Sequence, residues 1–378
     1  MRDRTTRGEA GRIVPALLGW FRQNARDLPW RRTRDPYAIW ISEIMLQQTQ
    51  VKTVIPYWTR WMTDLPGIRE LAEARPEKTL KLWEGLGYYT RVRNLQKAAQ
   101  QIVAQHAGKF PLDFNALLAL PGIGRYTAGA ICSIAFNQPT PILDGNVMRV
   151  LTRLFGIAGN PRDKKANVQL WALAQELVSN AAKTGTPRNQ SCSRLNQALM
   201  ELGALICLPA QPDCRGCPVR TECVAHRTDQ VGTLPNLERR RPATARRFAA
   251  FVIENRGRLL VRQRPAGGIN AHLWEFPNVE LTAVSVPLRE VVRELLRINP
   301  GSLQAVCVVK HTITRYRITL EAYRCRLKHR RVDTTGTGRW LRWTELNALP
   351  FTSAHRKILN ALFPGKPSKR IAALFKRD

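Results

Sequence analysis

Acidic residues are scarce in this chain: 28 Asp and Glu stand against 60 Lys and Arg, for a formal net charge of +32. That shortage says little about fold and much about partners. Lys and Arg gain affinity for polyanions by releasing counterions condensed on phosphates. Charge alone leaves a nucleic-acid enzyme, a ribosome-associated protein and a merely arginine-rich composition all open. Long apolar runs are lacking as well, and none reaches the roughly 18 residues of a membrane span. The polar start, residues 1–12, has no apolar core ahead of a small-residue cleavage site, so no signal peptide is expected and the cytoplasm is the expected compartment. Cysteines are few, eight in 378 residues, and four of them crowd between 207 and 223. In an intracellular chain such crowding favours a metal site over a disulfide framework. At 44% hydrophobic, the chain has enough apolar residues for real cores and is not a disordered one.

A chain of this length is expected to form two domains. Residues 1–225 read as helical nearly throughout. Apolar positions recur at helical spacing in 37–48, 94–105, 113–119, 126–136, 146–155 and 166–179, with Pro-Gly turns between. Residues 226–247 turn polar and Pro-containing, which reads as an interdomain linker. The period then changes. Residues 248–254 and 259–263 flank an Asn-Arg-Gly turn and predict a hairpin. Further strands are expected at 304–310 and 317–327, and helices at 287–298 and 354–362. Residues 248–364 therefore predict a small α/β domain, followed by a basic tail at 365–378.

Two motifs carry chemistry. Cys207, Cys214, Cys217 and Cys223 are spaced C-x6-C-x2-C-x5-C. Zinc usually takes two separated C-x2-C knuckles, so uneven spacing in one run favours a single 4Fe–4S cluster, with zinc as the competitor. Cys132, Cys192, Cys307 and Cys325 read as ordinary small apolar residues. The string LPGIGRYTAGA (120–130) joins two predicted helices. Gly122 and Gly124 remove side chains there, so backbone N–H groups can approach a phosphate, as in a helix-hairpin-helix motif.

Together with WISEIMLQQTQV (40–51), WEGLGYYTRVRNL (83–95), PILDGNVMRV (141–150) and NQALMELGALIC (196–207), these strings resemble the adenine DNA glycosylases of the MutY type over nearly the whole chain. The resemblance implies a mostly α helix-hairpin-helix glycosylase domain with an iron–sulfur loop, then an α/β Nudix-like domain. It implies an enzyme that flips adenine out of duplex DNA opposite 8-oxoguanine or guanine and hydrolyses its N-glycosidic bond. A monomer acting on the bacterial nucleoid is the implied working form.

Glycosidic cleavage requires protonation of the leaving base and stabilisation of a cationic sugar. Glu43 lies in an apolar helix, where desolvation would raise its pKa and keep it protonated. Asp144 precedes a helical run, where capping bonds would hold it ionised. By resemblance, Glu43 protonates adenine and later activates the nucleophile, and Asp144 faces the cationic sugar. Tyr126 and Asn146 are expected to be hydrogen-bond partners of Asp144. Related enzymes that cut the strand carry a Lys at the Tyr126 position, so Tyr126 implies a glycosylase that leaves the strand intact. Tyr88 resembles the family's intercalating aromatic and Gln48 its wedge; Arg31 and Gln197 match contacts to the flipped base.

The second domain is implied to read 8-oxoguanine through residues 311–316. Where many relatives have Phe-Ser-His, this chain has Ile313, Thr314 and Arg315; Thr314 and Arg315 are the expected donors. Arg293 replaces an acid of the Nudix metal set, which argues against nucleotide hydrolysis. A strand-cleaving lyase and a non-enzymatic iron–sulfur DNA-binding protein are the other readings.

Overall fold

The computed structural model describes residues 2–184, 189–238, 242–281, 287–327 and 338–364; the basic tail at 365–378 lies outside them. In chain order the helices before residue 240 are α1 (Arg2–Asn24), α2 (Pro36–Leu46), α3 (Val51–Asp64), α4 (Ile68–Glu73), α5 (Pro76–Leu82), α6 (Thr90–His106), α7 (Phe114–Leu118), α8 (Arg125–Ala130), α9 (Gly145–Leu154), α10 (Lys164–Thr184), α11 (Ser191–Leu205) and α12 (Val224–Arg227). After it come β1 (Thr244–Asn255), β2 (Arg258–Gln263), β3 (Trp274–Glu275), β4 (Asn278–Glu280), α13 (Leu288–Leu296), β5 (Gln304–Ile313), β6 (Tyr316–Arg326), β7 (Gly338–Leu341), α14 (Trp343–Ala348) and α15 (Ser353–Leu362). A helical first part and an α/β second part match the sequence expectation.

The contacts divide the chain into two compact units, Met1–Glu73 with Asn94–Arg239, and Ala74–Arg93 with Arg240–Asp378. In the first, α1, α9, α10 and α11 bury a shared core that includes Leu17, Leu151, Leu170 and Leu195. Helix α2 is different, since every residue from Tyr37 to Met45 is buried. Such a helix is apolar all round, and any charge on it is desolvated. Pro36 pre-sets its first turn and the Asp35 carboxylate accepts from the N–H groups of Tyr37 and Ala38. The helix expected at 126–136 changes pitch after α8, and Ile131–Ala135 is a π-helical turn.

In the second unit one sheet runs β3-β2-β1-β6-β5, with β4 added to β1 and β7 to β2. The β1–β2 hairpin turns through Arg256 and Gly257, both at positive φ (48° and 71°), the backbone of a type I′ turn. β1 pairs in parallel with β6 from Thr244 opposite Tyr316 to Glu254 opposite Arg326. One boundary of the sequence reading needs correction. Residues 226–247 are not linker throughout, because α12 runs to Arg227 and β1 begins at Thr244. Arg246 and Arg247 hid that strand, and they are neutralised by Glu280 and Glu321.

Candidate active site

The first unit brings Glu43 and Tyr126 into direct contact. Glu43 projects from buried α2 and is 5% exposed. The Tyr126 hydroxyl, on α8, donates to Glu43 Oε2 at 2.5 Å and lies 3.4 Å from Met200 Sδ on α11. Burial lifts the Glu43 carboxyl to about 7; the Tyr126 hydrogen bond pulls against that rise and the Asp144 charge adds to it. Burial, with the neighbouring Glu43, also holds the Tyr126 hydroxyl well above its ordinary range. Tyr126 therefore stays a donor to Oε2, and a proton on Glu43 is left to Oε1.

Asp144 caps α9, its Oδ1 accepting from Val147 N–H at 2.7 Å. From the sequence, such bonds are expected to hold it ionised. Burial outweighs them, and the net shift of Asp144 is upward. Its expected partners also differ. Tyr126 turns to Glu43 instead, and Asn146 supports Asp144 through backbone N–H. The Asn146 side chain accepts from Arg149 Nη2 at 2.9 Å.

Sequence reasoning missed Glu201, a buried carboxylate on α11. It pairs bidentately with Arg26 and with Arg31, at 2.8 and 2.9 Å for the Nη2–Oε2 contacts. Burial would raise Glu201, but the two guanidinium groups overcome it and hold the carboxyl at about 2. Arg31, expected to meet the base, is thus held in place by Glu201 while its charge reaches Glu43. Gln197 lies on the same helix with its amide donating to Ser193 Oγ at 3.1 Å. NQALMELGAL gives only an ordinary helical Glu; the arginines that make Glu201 unusual lie in a distant part of the chain.

In the hairpin 120–124 the two glycines stand in different surroundings. Gly122 has φ 76°, and an added Cβ would stand 2.6 Å from Asn94 Cβ. Gly124 is extended, caps α8, and would meet nothing within 4 Å of an added Cβ. Gly129, on α8, would drive a Cβ to 2.3 Å from the Pro141 carbonyl oxygen. That contact seats α8 against the segment leading into Asp144. Gln48, just past α2, is exposed with φ 56°.

Cys207, Cys214, Cys217 and Cys223 line one cleft together with Val150, Arg153 and Leu202. One face of α9 grips this loop. Arg149 Nε donates to Cys207 O at 2.7 Å, and buried Arg153 donates to Cys207 Sγ, Leu208 O and Pro209 O at 3.4, 2.7 and 3.0 Å. Among the described residues, no three His, Cys, Asp or Glu side chains come close enough to hold one metal ion.

In the second unit Tyr88 is 50% exposed at φ 48°. Thr314 and Arg315 form the two-residue turn between β5 and β6. Thr314, a β-branched residue at φ 51°, donates its hydroxyl to Ile313 O at 2.7 Å. Arg315 Nη2 donates to Tyr316 Oη at 3.1 Å, and Arg246 also lies over the Tyr316 ring.

This arrangement defines a class, a helical DNA repair domain followed by a Nudix-type unit. Residues 41–176 match the HhH-GPD superfamily base excision DNA repair proteins and residues 249–361 the NUDIX domain. The chain is 37% identical over 400 residues to the adenine DNA glycosylase of Mus musculus, covering 90% of this chain and 76% of that one. With the Homo sapiens adenine DNA glycosylase it shares 37% over 404 residues, covering 91% and 72%. A solved thermostable thymine-DNA glycosylase aligns with TM-score 0.52 and 28% identity over 58% of this chain and 98% of its own. The chain belongs to the adenine DNA glycosylase family.

Proposed function

We propose that the chain excises adenine mispaired with 8-oxoguanine or guanine in duplex DNA, hydrolysing the N-glycosidic bond and leaving the strand uncut. The observation that carries this is the buried Glu43 carboxyl, bonded to Tyr126 beside Asp144. With its pKa near neutrality, Glu43 keeps a proton on Oε1 that it gives to a ring nitrogen of the extruded adenine. Protonation turns adenine into a neutral leaving group, and the sugar is left cationic. Asp144, within electrostatic reach of Glu43, meets that charge. An upward-shifted carboxylate becomes more firmly ionised as a cation forms beside it, so stabilisation grows along the reaction coordinate. Glu43, now a carboxylate, accepts a proton from the attacking water. Tyr126 has no amine, so no Schiff base forms and the strand stays whole.

Opening the duplex costs a few kcal/mol. Tyr88 and Gln48, exposed and held at left-handed φ, supply the wedges. Gly122 and Gly124 let backbone N–H groups approach a phosphate, Arg31 and Gln197 border the adenine, and Thr314 and Arg315 read the opposite base. The four cysteines suit one 4Fe–4S cluster in chemistry and spacing. Burial raises the thiols of Cys214, Cys217 and Cys223, Cys217 to about 11, so cluster binding must displace their protons. Cys207, Cys214, Cys217 and Cys223 would hold the cluster, which would tie together the loop that Arg149 and Arg153 grip. The protein works as a monomer on the nucleoid in the cytoplasm.

The test is alkali treatment of duplexes carrying A:8-oxoguanine, A:G, A:C or A:T after incubation. Breaks at A:8-oxoguanine and A:G are expected, with none before alkali; no adenine release from any mispair overturns the proposal. Borohydride is expected to trap no adduct. Absorption near 400 nm, roughly where thiolate-bound iron clusters absorb, is expected of the purified protein, and stoichiometric zinc would overturn the cluster.

A further inference from the structure

Segment Ala74–Arg93 packs in the same compact unit as the sheet. Glu84 sits at one foot of the turn that bears Tyr88. Its Oε1 accepts from Phe351 N–H at 3.1 Å and Arg356 Nε at 2.7 Å; its Oε2 accepts from Lys81 Nζ at 2.6 Å and Arg356 Nη2 at 3.3 Å. Lys81 and Arg356 also both donate to Leu349 O, at 3.1 and 2.7 Å. The node is largely withdrawn from water, with Arg356 and Glu84 side chains 15% and 12% exposed. At the other foot Arg93 Nη1 donates to Ala271 O at 3.1 Å. Between the feet, Gly85, Gly87 and Tyr88 all have positive φ. The turn is stiffened from within by Trp83 Nε1 on Gly87 O at 3.0 Å and by Arg91, which donates to Leu86 O and Gly87 O.

We propose that Glu84, Arg356 and Arg93 are positioning residues, a two-footed clamp by which the sheet unit holds the Tyr88 turn at the height needed to enter the duplex. The inference rests on the reading of Tyr88 as the intercalating residue. A side chain pushed between base steps bears the cost of unstacking them, and a turn with three left-handed residues has little regular structure to transmit that load. A carboxylate accepting four charge-assisted or backbone bonds fixes both distance and angle at one foot. The clamp gives the sheet unit a part in opening the helix as well as in reading the opposite base.

The test uses the full chain and a duplex with 2-aminopurine in the adenine position opposite 8-oxoguanine, read as the fluorescence rise on unstacking, alongside single-turnover adenine release from the natural mispair. Glu84→Gln, Arg356→Gln and Arg93→Gln are each expected to lower both signals about tenfold, a coupling typical of residues in contact. Arg356→Lys, which keeps the charge without the fork, should lose less. On a Tyr88→Ala background the same changes should cost nothing further, because they act only through Tyr88. Losses that multiply with Tyr88→Ala, or clamp variants with unchanged opening, overturn the clamp. A Tyr88→Ala protein that opens DNA normally, in a chain that does release adenine, removes the reading of Tyr88 and the clamp with it, and leaves excision standing.

Discussion

Glu43 combines two requirements that usually conflict, a buried site and an ionisable group. Its proton is the reagent in the proposed excision, so release of adenine should fall as pH rises through about 7. A single-turnover pH profile checks this, and a rate that keeps rising above pH 8 would remove Glu43 as the acid. The same shift bears on stability. Its folded pKa lies above the unfolded value of about 4.3, so folding gains fully from the protonated group at low pH and loses that gain as pH rises through about 7. Glu43→Gln is therefore expected to abolish excision, retain DNA binding and stabilise the fold by up to about 3 kcal/mol above neutrality. Melting the two proteins from pH 4 to 8 should show the curves diverging with pH. Glu43 was legible in the sequence because its neighbours are apolar for a full helix. Glu201 was not, because the state of a carboxylate is set by what lies against it, and Arg26 and Arg31 are 175 and 170 residues away.

At the scale of elements, the glycines of the hairpin separate into packing and approach. Gly129→Ala places a methyl against a backbone oxygen that cannot rotate away and should cost about 3 kcal/mol. Gly122→Ala meets both a left-handed backbone and Asn94, and should cost about 1–2 kcal/mol. Gly124→Ala has open space before it and should leave melting unchanged while weakening DNA binding. Denaturation and binding titrations on the three variants check the order; a Gly124→Ala protein that binds normally would remove the phosphate contact. Most elements were readable from periodicity, since the helices bury one face and the hairpin carries its turn residues. The start of β1 was not. Four residues containing two arginines pair because β6 offers a parallel edge and Glu280 and Glu321 offer charge, and neither partner is local.

Across the whole molecule, the two units should respond differently to acid. His355 is buried in the second unit, and its Nδ1 accepts from Phe276 N–H at 3.1 Å. Burial pushes its pKa down to about 4. A histidine depressed in the fold contributes stability above its unfolded value of about 6.5, which is lost as pH falls through about 4. Acid should thus open the second unit over that window, and His355→Gln, which can still accept from Phe276, should flatten the dependence. Hydrogen exchange of Phe276 between pH 4 and 7 tests this; equal pH dependence in both proteins would exclude His355. The division into two units was legible only in outline. Residues 74–93 look like one more helical stretch, and nothing local marks them as belonging with a sheet that begins some 150 residues later.

That assignment has a consequence for how the protein is made. The ribosome releases Glu84 long before Arg356, which follows it by 272 residues. At about 5–20 residues per second the wait is roughly a quarter of a minute to a minute. The bonds from Phe351 and Arg356 to Glu84 can close only once those two residues have been made. A chain stalled or cleaved before Phe351 would carry the glycosylase residues intact and still have its wedge unset.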